Sequence, residues 1–311
     1  IGAAGSGGTA PEYMVNFNTS LASDDHKSGV SLYGYTRKRN PFDANDDSFS
    51  DLTPLENLTF GARVFHRFGL RDRLDFDFFA INEQRDGGNK QGYPLHERDI
   101  AEALTHKMKV AGLSYERFFR DYDLFSLYAS GQFLNRDSYY GAEQSLSGYG
   151  KTRDHTYNLG LQYKALFGKS TLVSGAEYTG GFLIDKKLGY PDIDNAEINF
   201  NDSTISYAHA GNTTISNQSG ITTGIFAQYE LNLSRLRFAA GGRFDHYGVN
   251  DFAREGGKKQ GNVFSPRISL MYYILNELQA RISYSKGYRA PQIFDEDLHT
   301  NTSGSRQVIH E

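Results

Sequence analysis

The sequence predicts an all-β protein, an antiparallel β-barrel wall that crosses a membrane on strands. Three observations predict it. Apolar and polar residues alternate at period two, several alternating segments run to 11 residues or more, and the connections between them alternate short and long.

In chain order, about twelve strands are expected: 12–20, 28–38, 57–68, 72–83, 100–119, 123–135, 154–166, 170–182, 220–231, 235–247, 263–274 and 278–288. In 57–68, Leu58, Phe60, Ala62 and Val64 share a face opposite Arg63 and Arg67. In 73–80, Leu74, Phe76, Phe78 and Ala80 oppose Asp75 and Asp77. In 156–164, Tyr157, Leu159, Leu161 and Tyr163 oppose Asn158, Gly160, Gln162 and Lys164. In 235–245, Leu236, Phe238, Ala240 and Phe244 oppose Arg237, Gly241, Arg243 and Asp245. In 278–285, Leu278, Ala280, Ile282 and Tyr284 oppose Gln279, Arg281, Ser283 and Ser285. Globular strands usually run to about 5–6 residues, whereas spanning strands need about 9–11.

Short connections are expected at 69–71, 120–122, 167–169, 232–234 and 276–277, and long polar ones at 39–56, 84–99, 136–153, 183–219, 248–262 and 289–305. That alternation is the plan of an outer-membrane barrel. Such a sheet must close, because an open edge in lipid strands backbone polar groups. The apolar faces are then expected to meet lipid and the charged faces a wet lumen. Tyr163, Tyr229, Tyr284 and Tyr288 are candidates for an interfacial girdle. A soluble sheet with one solvated face is the competing arrangement.

Composition narrows the function classes. The 311 residues are 38% hydrophobic and 14% aromatic, with 21 Tyr, 22 Phe and no Trp. Mean hydropathy is −0.57, and the longest apolar runs reach about a quarter of the roughly 20 residues of a spanning helix. Membrane helices are therefore excluded. Net charge is −4, which gives nucleic-acid binding no electrostatic basis. Abundant aromatics and balanced charge exclude disorder. With no Cys there are no disulfides, thiolate metal sites or Cys nucleophiles. The opening Ile1-Gly2-Ala3-Ala4-Gly5-Ser6-Gly7-Gly8 lacks the basic start and apolar stretch of a signal peptide, so a mature or excised piece is expected. Arg306–Glu311 reads as the start of a further strand.

Catalytic motifs are weak. Ser145–Thr152 nearly matches a phosphate loop, but the first Gly is missing and the following residues alternate like a strand. No Gly-x-Ser-x-Gly or His-Glu-x-x-His occurs and the nine His are scattered, so no enzyme is expected. The run 43–51 gathers Asp43, Asn45, Asp46, Asp47 and Asp51, hard oxygen ligands of the kind Ca²⁺ takes. The twelfth position from Asp43 is Pro54, not a bidentate Glu. On residues alone, a calcium loop and a solvated acidic loop both stand. If an ion binds, Asp86 or Glu83 would supplement the loop.

Ser283-Tyr284-Ser285-Lys286-Gly287-Tyr288-Arg289-Ala290-Pro291-Gln292 resembles the late-barrel signature of TonB-dependent outer-membrane receptors, and Phe294–His299 continues it. Gly241-Gly242-Arg243-Phe244-Asp245 and Phe264-Ser265-Pro266-Arg267 are similar to that family's two preceding strands. The acidic run, with Phe49 and Thr59-Phe60-Gly61-Ala62, resembles the calcium loop of cobalamin receptors, with Asn45, Asp46 and Asp47 at matching positions.

The resemblance implies a barrel of about 22 strands with an N-terminal plug and a segment that recruits TonB. Residues 1–311 would then be an internal piece of barrel without plug, in the outer membrane of a Gram-negative bacterium and in contact with its lipid. It implies TonB-coupled import of a scarce large solute: a corrinoid such as cobalamin, a ferric siderophore or haem. Loop aromatics and arginines suited to a bulky, partly anionic ligand are Phe42, Arg136, Tyr139, Tyr140 and Arg289. A passive porin-like channel and a soluble carbohydrate-binding β-domain are the readings from other classes.

Overall fold

The computed structural model describes residues 2–5, 11–120, 122–200, 204–253 and 256–288. The strands are β1 (Gly2–Gly5), β2 (Pro11–Ala22), β3 (Ser28–Arg39), β4 (Leu55–His66), β5 (Asp72–Gly88), β6 (Ile100–Phe119), β7 (Asp123–Ala142), β8 (Tyr149–Phe167) and β9 (Ser170–Lys187). Short strands β10 (Tyr190–Pro191), β11 (Glu197–Asn199), β12 (Thr204–Ser206) and β13 (His209–Ala210) follow. Then come β14 (Thr213–Asn232), β15 (Leu236–Asp251), β16 (Lys258–Tyr273) and β17 (Gln279–Ser285).

Thirteen strands pair in one sheet in the order β1 to β9, then β14 to β17; β10 pairs with β13 and β11 with β12. Every pairing is antiparallel. The twelve expected segments are β2–β9 and β14–β17. The thirteenth, β1, lies in a Gly-rich stretch whose composition carries no strand signal. As described, the sheet is open, with β1 and β17 at its edges.

Register turns the alternation into two continuous faces. One transverse row reads Leu74, Tyr115, Leu127, Leu161, Ala176, Ile225, Phe244 and Phe264 across β5–β9 and β14–β16. One residue along, the opposite face reads Asp75, Ser114, Tyr128, Gly160, Glu177, Gly224, Asp245 and Val263. Leu161 and Phe264 stay 45% and 57% exposed, and few apolar side chains among the described residues are buried, Leu55, Ala101, Tyr139, Ala165 and Leu183 among them. This sheet has no conventional core; its apolar payload points outward, where a bilayer would receive it. No helix among the described residues is long and apolar enough to cross a membrane.

Tyr163, Tyr229 and Tyr284 lie on the outer face near the short-connection end. The Tyr163 hydroxyl donates to Asp123 Oδ2 at 2.9 Å, and that of Tyr229 pairs with Ser170 Oγ at 2.6 Å. Tyr288 does not join this girdle; it follows β17, with its ring 6.4 Å from that of inward-facing Tyr247.

The short connections fall where expected, but the long ones are shorter than the sequence suggests. β5 extends to Gly88, β7 to Ala142, β9 to Lys187 and β15 to Asp251. These strand tops stand well above the apolar band. On β14 the pairing with β9 shifts between Thr214 and Ser216, so Ile215 bulges out of register.

A nitroxide at position 76 of the intact protein in a bilayer should report lipid, and one at position 75 should report water. The reverse pattern by oxygen and nickel accessibility would invert the faces.

Candidate functional site: inner wall and outer rim

The inner face carries a network at mid-height. Tyr128 Oη donates to Glu177 Oε1 at 2.5 Å. The Arg243 guanidinium pairs with the other Glu177 oxygen, and its Nε donates to both Asp245 oxygens at 2.8 and 2.9 Å. These groups sit on alternate strands, and the strands between present glycine. Tyr128 crosses over Gly160, and Arg243 and Asp245 close over Gly224; a methyl group at either glycine would overlap them. Asp245 is 1% exposed, and its carboxylate is paired with Arg243.

Nearer the rim, a second polar row reads Arg37, Asn57, Glu83, His106, Arg136, Thr152, Asp185 and Ser216 across eight strands. Arg37 Nε pairs with Glu12 at 2.5 Å, and Asn57 Nδ2 donates to Glu83 at 2.9 Å. Arg136 Nη2 donates to Thr152 Oγ1 at 2.9 Å, and Thr152 donates to Asp185 Oδ1 at 2.7 Å. Between the two rows lies an apolar inner patch of Phe79, Ile81, Met108, Val110 and Leu134 on β5–β7. The inner face is therefore not uniformly polar.

The expected ligand residues divide. Arg136, Tyr139 and Tyr140 lie within β7, which corrects their placement in a loop. The backbone is paired through this polar stretch even though no hydrophobic alternation marks it. Arg136 joins the inner polar row. Tyr139 is 1% exposed and donates to the Ser145 carbonyl at 2.8 Å. Its ring meets that of Tyr149 at 4.7 Å, and Tyr149 in turn meets His96 and His209. Tyr140 is half-buried. Phe42 bridges Leu52 in the 40–54 connection, and Arg289 lies outside the described residues.

Loop 89–99 is clamped. Arg98, 4% exposed, grips Asp86 with Nη1 at 2.5 Å and Nη2 at 3.1 Å, and its Nε donates to the Tyr93 carbonyl at 2.9 Å. Hydrogen bonds from Lys90 and Asn89 hold the Asp99 carboxyl below its ordinary range. That contribution is present above the ordinary carboxylate pKa and is lost as pH falls through the lowered one.

The acidic run uses its own carboxylates. Asp43 accepts from the backbone N–H groups of Asn45 and Ser48, Asp47 from that of Phe49, and Asp51 from that of Ala44. Asn45 Nδ2 donates to Asp47 at 3.0 Å, and Asp46 adopts a φ of 58° at the turn. Asp86 is held by Arg98, and Glu83 by Asn57 and Arg85, so neither expected helper reaches the loop. Among the described residues no three His, Asp or Glu groups converge to hold an ion. In this conformation the donors do not fit a calcium site. Asp47→Ala should raise amide exchange over 45–49 to the same extent with calcium or chelator present. Restoration of protection by calcium would show an ion-bound form of the loop.

The three motif segments of the sequence adjoin. Gly241 pairs with Arg267, and Arg267 pairs with Ser285, so β15, β16 and β17 carry them side by side. The sequence profile described as "TonB dependent receptor-like, beta-barrel" matches residues 9–306. The chain belongs to this family. The TonB-dependent receptors are outer-membrane receptors and transporters. Among solved structures, FpvA of P. aeruginosa bound to a heterologous ferric pyoverdine superposes with a TM-score of 0.63 at 12% identity, covering 88% of this chain and 40% of that one. The siderophore receptor PiuA of Acinetobacter baumannii gives 0.61 at 9%, covering 89% and 47%. BauA, the ferric preacinetobactin receptor of Acinetobacter baumannii, gives 0.59 at 15%, covering 92% and 49%. The chain spans less than half the length of each, and at these identities the likeness shows the fold. No curated protein matches the chain.

Proposed function

We propose that the chain forms part of the wall of an outer-membrane receptor that imports a large, scarce solute by TonB-coupled transport. A ferric siderophore is the best-supported cargo. The observation that carries this reading is the opposition of the two faces on one sheet: a continuous apolar band outside, and a charged, tyrosine-bearing wall inside. A passive channel needs a wet wall, but the inner apolar patch of Phe79, Ile81, Met108, Val110 and Leu134 suits packing against another body in the lumen. The inward-facing Arg63 and Arg243 are taken up by Asp77 and by Glu177 and Asp245, and Arg136 is buried against Thr152, so the wall holds these cations in place itself. Of the structural relatives named above, PiuA is a siderophore receptor, BauA a ferric preacinetobactin receptor and FpvA is bound to a ferric pyoverdine, which favours a ferric siderophore over cobalamin or haem as cargo.

The test is uptake of labelled ferric siderophores by iron-limited cells whose only receptor is the intact protein. Uptake should require TonB and collapse with a protonophore, and excess cobalamin or haem should not compete. Energy-independent uptake would make the protein a passive channel. Competition by cobalamin would move the cargo to corrinoids.

A further inference from the structure

Above its apolar band the outer face turns cationic. Following the same alternation upward, β6 presents Lys109 and Lys107, β8 presents Arg153 and Lys151, and β9 presents Lys186. Lys107, Asn135, Arg153 and Ile184 form one transverse row. The row nearer the band is Lys109, Phe133, His155 and Phe182; the row beyond is Thr105, Asp137, Lys151 and Lys186. Strands lie about 4.8 Å apart, and alternate residues about 6.6 Å apart along a strand, so the five cations fall within about 14 Å in each direction.

Little nearby offsets this charge. Asp137 is the one carboxylate in these rows, and it sits 3.3 Å from Lys151. Lys107, Lys109, Arg153 and Lys186 are exposed, and none has an ion-pair partner among the described residues. Phe133 and Phe182, in the row of Lys109, are 53% and 37% exposed, so the patch starts where the apolar band ends. That is headgroup height, at the long-connection end, which faces outward in this barrel plan. Crowded cations repel one another unless an anion lies between them.

We propose that this patch binds the phosphate groups of an outer-leaflet glycolipid. The inference rests on the outer-membrane reading above. Long Lys and Arg stems lie along the apolar rows while their heads reach the phosphates. Cations spread over three rows suit a headgroup carrying more than one phosphate, and Phe133 and Phe182 meet its acyl chains.

The test uses the intact receptor, purified in detergent and incubated with lipid A carrying both phosphates or with the same lipid dephosphorylated. Native mass spectrometry counts retained lipid, and bilayer insertion is scored separately. The wild-type receptor should retain the phosphorylated lipid selectively. K107Q/K109Q/R153Q should weaken retention about a hundredfold, at about fivefold per cation near an anionic surface. K38Q removes an outward lysine on β3 that pairs with Glu56 at 2.5 Å, and it should leave retention unchanged. Equal retention of the dephosphorylated lipid, an unaffected triple variant, or displacement by equimolar inorganic phosphate would overturn the proposal. A receptor that inserts without phosphate preference sinks this inference alone; one that fails to insert sinks the membrane reading with it.

Discussion

Arginine at position 161 should destabilise the folded receptor by about 2–4 kcal/mol, whereas arginine at position 162 should cost less than about 1 kcal/mol. The two positions are neighbours in sequence and opposites in solvent. Leu161 occupies the middle of the outer row that runs from Leu74 to Phe264. On β8 it lies inside the apolar band, two residues from the Tyr163 row that carries Arg117 and six from the His155 row that carries Lys109, so a charge there faces acyl chains. Gln162 lies on the inner face, opposite Ser126 and Gly175. The measurement is urea-dependent refolding of the intact receptor into lipid vesicles. Equal costs at the two positions would mean that β8 does not divide lipid from lumen.

The second large effect is expected at Arg243. Its guanidinium is shared by Glu177 and Asp245, whose side chains are 25% and 2% exposed. Removing it leaves two carboxylates facing each other, one of them fully enclosed. Breaking a buried pair costs about 3–5 kcal/mol; because Arg243 itself is about one third exposed, Arg243→Ala should cost about 2–3 kcal/mol. The double variant R243A/D245A should recover part of that loss, because the enclosed charge goes too. Gly224→Val should act through the same network without removing a charge, since its side chain would occupy the space in which Arg243 and Asp245 meet. If Arg243→Ala is silent in refolding, the network adds nothing to stability.

The faces were legible in the sequence because each spanning segment writes its environment at period two. Leu74, Phe76 and Phe78 against Asp75 and Asp77 needs no partner strand to be read. Three things were not legible. The strand tops are polar on both sides, so a run such as Arg136-Asp137-Ser138-Tyr139-Tyr140 carries no periodic signal although its backbone is fully paired. Cross-strand partners depend on register: Glu177 and Arg243 stand 66 residues apart, and nothing local announces their pairing. The inner apolar patch at Phe79, Ile81 and Met108 breaks the rule of a polar lumen, because Phe78, Phe79, Ala80 and Ile81 place apolar residues on both faces of β5.

The bulge at Ile215 bears on how the outer rim of such a wall changes over generations. In a paired ladder, each added residue reverses the side on which every later side chain emerges until the pairing is reset. Growth of a strand top is therefore tolerated in steps of two, or in single steps when the surplus residue is ejected from the ladder. Ile215 is a step of the second kind. It lets the tip of β14 shift by one position while Gln218, Thr222 and Phe226 below it keep facing inward. Insertions and deletions at the rim should thus fall into even counts, with odd counts confined to bulges. The rim can then diversify from one lineage to another without disturbing the wall beneath it.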